Sequence, residues 1–163
     1  NVPRGEDHER AFDWAGLGLD GAVCGNMAND EMILTAKSPC RVDLAGGTLD
    51  IWPLYLNHDG AVTVNFAVNL YTHARIETRK DARIDLAAGD LGKSESFASL
   101  GALRDAGKYK LALLAEAVRW YQPAAGLTVT TSSEAPAGAG ISGSSSLLIT
   151  LGAALNKLTG KKY

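Results

Sequence analysis

The chain has 163 residues, of which 46% are hydrophobic and 21% are charged, a composition typical of a globular domain. Its formal net charge of −2 gives no electrostatic reason to expect binding to nucleic acid or to an anionic membrane. The two cysteines, Cys24 and Cys40, are too few for a disulfide framework, and no apolar run is long enough to span a bilayer, so a cytoplasmic protein is predicted.

The first 31 residues mix charges and glycines without clear periodicity, and we interpret them as an irregular leader. Residues 16–21 match the dinucleotide-binding pattern Gly-x-Gly-x-x-Gly, which has physical meaning only between a strand and a helix. The flanking residues are poor candidates for either element, so a loop is favoured. The ordered domain is predicted to cover residues 32–163.

The rest of the chain alternates between strand-like and helix-like patterns. Strands are predicted at residues 33–37, 41–45, 61–68, 71–78, 82–87 and 126–131. Ser38-Pro39 is predicted to be a break, residues 50–55 a short helical turn, and Gly89-Asp90 a turn. Helices are predicted at residues 108–121 and 144–158. Strands that come mostly early and helices that come late favour an α+β sandwich over a doubly wound sheet.

Residues 136–146, which we call the glycine loop, read Pro-Ala-Gly-Ala-Gly-Ile-Ser-Gly-Ser-Ser-Ser and lead into the last predicted helix. Glycines allow the backbone to approach a ligand closely, and a helix N-terminus offers N–H groups without internal partners. Together these features make an anion site, and the serines add hydroxyls for a phosphate oxygen or for magnesium. A loop that only caps its helix is the alternative.

Three other motifs that contain glycine or serine do not fit this loop. A Walker A loop requires lysine where this chain has Ser144. A nucleophile elbow requires a serine with glycine two residues before and two residues after it, which no serine of the loop has. A protein-kinase glycine loop lies in a β-hairpin, whereas this loop precedes a helix.

The pattern that fits is Pro-x-x-x-Gly-Leu-Gly-Ser-Ser-Ala, the phosphate loop of the GHMP small-molecule kinases, which the glycine loop resembles with Ile141 in the leucine position. Ser142-Gly143 stands where the family commonly has a single glycine, and Ser146 stands in place of the usual alanine. The extra residue leaves the assignment of the serines uncertain by one position.

A second stretch resembles the other signature of the same family. Residues 38–50, which we call the Arg41 segment, read Ser-Pro-Cys-Arg-Val-Asp-Leu-Ala-Gly-Gly-Thr-Leu-Asp. The version of this signature found in fucose kinases and heptose-phosphate kinases is similar to it. Two signatures in the family's order make coincidence improbable.

The resemblance implies a ribosomal S5 domain 2-like sandwich and transfer of the γ-phosphate of MgATP to a hydroxyl of a sugar or sugar phosphate. It implies that Arg41 stabilises the transferred group, that Asp50 binds the sugar, and that Gly46 and Gly47 allow its close approach. Magnesium would be held, through ATP, by Ser144 or Ser145. The residues implied in binding the ATP phosphates are Pro136, Gly138, Ala139, Gly140, Ile141, Ser142, Gly143, Ser144, Ser145 and Ser146.

The family's catalytic aspartate, its magnesium-binding glutamate and its C-terminal domain have no counterpart before Tyr163. The sequence therefore predicts an incomplete N-terminal domain with little turnover by itself. A non-catalytic relative that binds ATP and a sugar is the first alternative, and a mevalonate- or homoserine-type kinase is the second. A nucleic-acid-binding module is disfavoured by the absence of a basic cluster.

Overall fold

The computed structural model describes residues 31–49, 51–136 and 138–161. Leader residues 1–30, with the glycine pattern at 16–21, lie outside them. The described residues form five strands, three α-helices and a 3₁₀ helix at Leu54–Asn57. The strands are β1 (Ile33–Ala45), β2 (Val64–Arg79), β3 (Ile84–Ala88), β4 (Lys93–Phe97) and β5 (Gly126–Ser133), and the helices are α1 (Leu100–Asp105), α2 (Ala112–Tyr121) and α3 (Gly143–Thr159).

The five strands form one sheet in the order β1-β2-β5-β3-β4. β5 is the central strand, antiparallel to β2 on one side and parallel to β3 on the other. Long antiparallel pairing joins β1 to β2, and a short hairpin joins β3 to β4. The parallel pair requires a crossover, which contains β4, α1 and α2.

The core lies between one face of the sheet and the helices. Alternate residues of each inner strand point into it, as Leu127 and Val129 of β5 do, while the intervening residues are polar and more exposed. α2 contributes Leu114 and Val118, and α3, which packs on β1 and β2, contributes Leu151 and Leu155. The two-layer architecture confirms the predicted α+β class.

Both long helices end at left-handed residues. The C-cap residue of α2 is Gln122, with φ 50°, immediately before Pro123. The C-cap residue of α3 is Gly160, with φ 67°. No helix among the described residues is long and apolar enough to cross a bilayer.

Two of the predicted boundaries were wrong. Ser38-Pro39 is not a break, because β1 runs through it and absorbs the proline with a register shift between Pro39 and Cys40. The strands predicted at 61–68 and 71–78 are one strand, β2, which pairs with the whole of β1. β4 and α1 were not predicted.

Arg79, at the end of β2, organises an ion-pair cluster next to the turn into β3. Its Nε and one terminal nitrogen donate to the Asp81 carboxylate at 2.7 and 2.8 Å, and its other terminal nitrogen donates to Asp85 at 3.0 Å. These hydrogen bonds lower the pKa of Asp81 to about 2. The carboxylate therefore stabilises the folded chain while it is ionised.

We expect Asp81→Asn to lower the free energy of unfolding at pH 7, with the difference from wild type vanishing as the pH falls. An unfolded aspartate titrates near ~3.9, so the folded-state advantage is complete above that pH and is lost as the pH falls towards about 2. Urea unfolding at a series of pH values measures it. Exposed Asp59, which makes no ion pair with another described residue, is the control: Asp59→Asn should leave the free energy of unfolding at pH 7 close to that of wild type. A pH-independent difference for Asp81→Asn would contradict the expectation.

Candidate functional site

The glycine loop and the Arg41 segment, far apart in the sequence, lie side by side. The backbone N–H of Arg41 donates to the carbonyl of Ile141 at 3.2 Å. A few residues away, the hydroxyl of Ser146 donates to the carbonyl of Pro39 at 2.9 Å. Both contacts join β1 to the region where the glycine loop becomes α3.

The backbone of the glycine loop has the geometry of an open turn. Gly138 and Gly140 adopt φ values of +78° and +70°. Apart from its chain neighbours, no described residue lies within 4 Å of the position that a Cβ would take on either glycine. The N–H of Ala139 donates to the carbonyl of Pro136 at 3.1 Å. The loop therefore turns its backbone towards empty space, which side chains at the two glycines would begin to fill.

α3 begins without a side-chain cap. Its N-cap residue, Ser142, is left-handed (φ 57°, ψ 31°), and its side chain makes no hydrogen bond to the first turn. The first turn also contains no acidic side chain. This helix end consequently presents N–H groups and partial positive charge to whatever occupies the space beside it.

The three serines at the start of α3 differ in their surroundings. Ser144 is exposed and lines a cavity next to the loop, whereas Ser145 is exposed but does not line it. Ser146 is buried and its hydroxyl is bonded to β1. Of the two serines expected to contact magnesium, Ser144 is thus the one at the cavity.

That cavity measures about 580 Å³ and lies between the glycine loop, the start of α2 and the turn after β3. Leu91, Leu113 and Leu147 give it apolar walls, and Asp90 and Lys110 add charged groups. A larger hollow of about 1130 Å³ lies beside Trp120 of α2, but none of the described glycine-loop residues lines it. Only the smaller cavity adjoins the anion-binding geometry, so we assign the site to it.

Glu95 of β4 fixes the wall of the cavity formed by α2. Its two carboxylate oxygens accept the backbone N–H groups of Lys110 and Leu111 at 2.9 and 2.8 Å. Neither Glu95 nor its strand was predicted, because β4, Lys-Ser-Glu-Ser-Phe, is almost entirely polar. The signal available was the weak alternation that half-buries Glu95 and Phe97.

Arg41 lies at the edge of the sheet, with 42% of its side chain exposed. Its guanidinium pairs with Asp43, two residues along the same strand, at an Nε–Oδ1 distance of 3.0 Å. A Cβ on Gly47 would lie 2.7 Å from Asp43 Oδ2, so the chain folds back closely over this carboxylate. Asp43 therefore contacts the segment that follows it but stays partly exposed.

Gly46 is required by the same fold-back. Its φ is +76°, and a Cβ there would lie 2.2 Å from the carbonyl oxygen of Val62. The spaces beside Gly46 and Gly47 are thus occupied by the chain's own atoms, which gives both glycines a packing role. Asp50, expected to bind the sugar, lies outside the described residues.

Among the described residues, no group of three or more His, Cys, Asp or Glu side chains could hold a metal ion. The other members of the predicted phosphate-binding set, Pro136, Ala139, Ile141 and Gly143, all line the cavity.

Residues 108–163, which include the glycine loop, match the family described as GHMP kinases N terminal domain. Over 185 aligned positions the chain is 26% identical to L-fucokinase/L-fucose-1-P guanylyltransferase from Bacteroides fragilis, an alignment that covers 94% of this chain. The match spans 19% of that protein.

Solved kinases share the fold. The crystal structure of a D-glycero-D-manno-heptose 1-phosphate kinase from Bacteroides thetaiotaomicron superposes with a TM-score of 0.66 at 28% identity, over 79% of this chain and 42% of that one. Galactokinase from Lactococcus lactis, complexed with galactose, gives 0.62 at 18% identity, over 80% and 34%, a likeness of fold alone. The chain thus spans less than half the length of these kinases.

We expect Glu95→Gln to lower the free energy of unfolding by about 1 kcal/mol. A carboxylate accepts both N–H groups, whereas an amide has one accepting oxygen and turns its NH₂ towards the other donor. Urea unfolding measures the change, with Glu116→Gln as the control, since Glu116 pairs only with nearby Arg119 on the exposed face of α2. Equal losses in the two variants would contradict a capping role.

Proposed function

We propose that the chain binds the phosphates of MgATP at the glycine loop, within a kinase that phosphorylates a sugar or sugar-phosphate hydroxyl. The match of residues 108–163 to the GHMP kinase N-terminal domain and the similarity to sugar kinases support this proposal. Residues 32–163 would be the ATP-binding domain. The observation that carries the proposal is the hydrogen bond from Arg41 N–H to the Ile141 carbonyl, since it brings the only two kinase-like motifs of the sequence to one place.

The phosphates are proposed to lie against the backbone of residues 138–143 and the first turn of α3. Two features support this position: the space beside Gly138 and Gly140 is empty, and the helix start has no competing acidic side chain. Backbone N–H groups and the helix dipole both favour a multiply charged anion there.

The base and ribose are proposed to occupy the 580 Å³ cavity, whose volume lies within the usual range of about 300–1,000 Å³ for small-molecule sites. Its leucine walls suit an aromatic base. Lys110 and Asp90 are placed where they could contact a phosphate oxygen or a ribose hydroxyl.

Magnesium brought by the nucleotide would supply positive charge that offsets the negative charge developing during transfer. The residues present fit a magnesium ion that the nucleotide brings, because the exposed hydroxyl of Ser144 lines the cavity while the described residues offer no acidic cluster there. Ser144 is accordingly our choice over Ser145. Ser146, buried against β1, is assigned to holding the loop in place.

Arg41 is proposed to stabilise charge on the transferred phosphoryl group, which phosphoryl transfer requires more than covalent chemistry. Its pairing with Asp43 holds the guanidinium along β1, and its backbone N–H contacts the loop. The sugar is proposed to bind along residues 46–50, which follow Arg41 directly. The fucose and heptose-phosphate kinases similar to this chain support a sugar or sugar phosphate as the acceptor.

We expect Gly140→Ala to weaken MgATP binding about tenfold or more, because its Cβ enters the space proposed for a phosphate. Isothermal titration of the chain with MgATP measures the affinity. Gly160→Ala is a matched control, since Gly160 has φ +67° against +70° for Gly140 and an equally open Cβ position, but lies at the far end of α3. The backbone strain is alike in both, so only the loop variant should lose affinity.

Wild-type chain that does not bind MgATP would contradict the proposal. Binding of ATP and of a sugar by a longer protein that contains this domain, without formation of ADP, would favour the non-catalytic relative instead.

A further inference from the structure

Four buried hydroxyls from three elements form a cluster beneath the site. Ser38 of β1, Thr72 of β2, and Ser146 and Thr150 of α3 are 8%, 0%, 8% and 1% exposed. Each oxygen lies within hydrogen-bonding distance of at least two others, as Thr72 does from Ser146 at 2.9 Å and from Thr150 at 2.7 Å. We call this group the hydroxyl cluster.

Ser146 is the hub of the hydroxyl cluster. Its hydroxyl donates to the Pro39 carbonyl at 2.9 Å, and its own carbonyl accepts from Thr150 Oγ1 at 2.9 Å and from Ser38 Oγ at 3.0 Å. Each of the four hydroxyls can donate only one hydrogen bond, although each lies close to several acceptors. Removing one hydroxyl leaves other buried groups without a partner.

Pro39, the β1 residue whose carbonyl accepts from Ser146, lies next to the register shift of β1. Pro39 precedes that shift and Arg41 follows it, and the Arg41 N–H is bonded to Ile141 of the glycine loop. The glycine loop and α3 therefore form hydrogen bonds with β1 on both sides of its register shift. Pairing with β2 sets the register on either side of this bulge, and the contacts from the loop and α3 add constraints directly next to it.

From this geometry we propose that Ser146 is a positioning residue. Through the hydroxyl cluster it fixes the placement of Arg41 relative to the glycine loop, and so determines how well the site distinguishes ATP from ADP. The inference rests on the function proposed above, in which Arg41 acts on the terminal phosphate. A small apolar residue at position 146, such as the alanine of the resembled motif, would lack this connection.

A residue that only supports the fold would alter stability and lower the affinity for both nucleotides alike. A positioning residue alters the ratio of the ADP and ATP dissociation constants, because only ATP carries the phosphate that Arg41 would contact. The ratio therefore separates the two roles, whatever happens to the unfolding temperature.

The experiment measures MgATP and MgADP dissociation constants by isothermal titration of the full chain. We expect Ser146→Ala to lower the ADP/ATP ratio by about fivefold to tenfold. Thr150→Val, which removes a hydroxyl at nearly constant shape, should lower it in the same direction, and Thr150→Ser should restore it. Thr159→Val is the matched control, because Thr159 Oγ1 makes the same bond to a carbonyl four residues earlier (2.8 Å to Leu155) outside the cluster.

A double-mutant cycle links the effect to Arg41. Arg41→Met alone should lower the ratio, and adding Ser146→Ala to it should lower the ratio no further, since the residue being positioned is gone. Additive effects would overturn the proposal.

The outcomes separate the two proposals. Wild-type chain that binds neither nucleotide contradicts the proposed function, and this inference with it. Wild-type chain that prefers ATP, with an unchanged ratio in folded Ser146→Ala, overturns only the positioning role. If Ser146→Ala does not fold, the Thr150→Val and Thr150→Ser pair decides the question by the same ratio.

Discussion

The hydrogen bonds between β1 and the start of α3 are the contacts on which the candidate site depends. Arg41 and Ile141 are joined through their backbones, and Pro39 and Ser146 through a buried hydroxyl. A backbone bond fixes direction whatever the side chain, while a buried hydroxyl is costly to leave unpaired. Together these two hydrogen bonds connect the edge strand β1 to the glycine loop and the start of α3, which follow β5 in the chain.

The packing of α3 and the contacts at the start of α2 support this connection. α3 lies across β1 and β2 with Leu151 and Leu155 in the core, so the helix axis is set by apolar packing rather than by the loop. Glu95 holds the start of α2, which forms the opposite wall of the cavity. The glycine loop thus lies between α2 and α3, and each helix is held in place by its own contacts.

Much of this could be predicted from the sequence. The alternation in β5, the apolar face of α2 and the glycine at the end of α3 are strong local signals, and all three elements are confirmed. The α+β class is confirmed as well, and residues 108–163 match the N-terminal domain of the kinase family that the sequence resembles. These signals work because each reflects the burial of one face or a backbone conformation that few residues adopt.

Other features depend on partners that are distant in the sequence. Pro39 suggests an end to a strand, yet β1 continues because β2 and α3 accept its irregular register. Polar β4 is a strand because β3 pairs with it, and half-buried Glu95 accepts N–H groups just before α2, fifteen and sixteen residues onward. Likewise, the serines of the glycine loop look equivalent in sequence, and only the packing of α3 on β1 turns Ser146 inward and leaves Ser144 at the cavity.

The central place of β5 has a consequence for the order of assembly. β5 comes last in the chain among the described strands, so β1–β2 and β3–β4 are two separate half-sheets, each with an open edge, until β5 is inserted between them. Insertion of β5 closes both edges at once, and the glycine loop and α3 follow it directly. The strand that joins the two half-sheets is therefore also the strand that carries the glycine loop to its contact with β1.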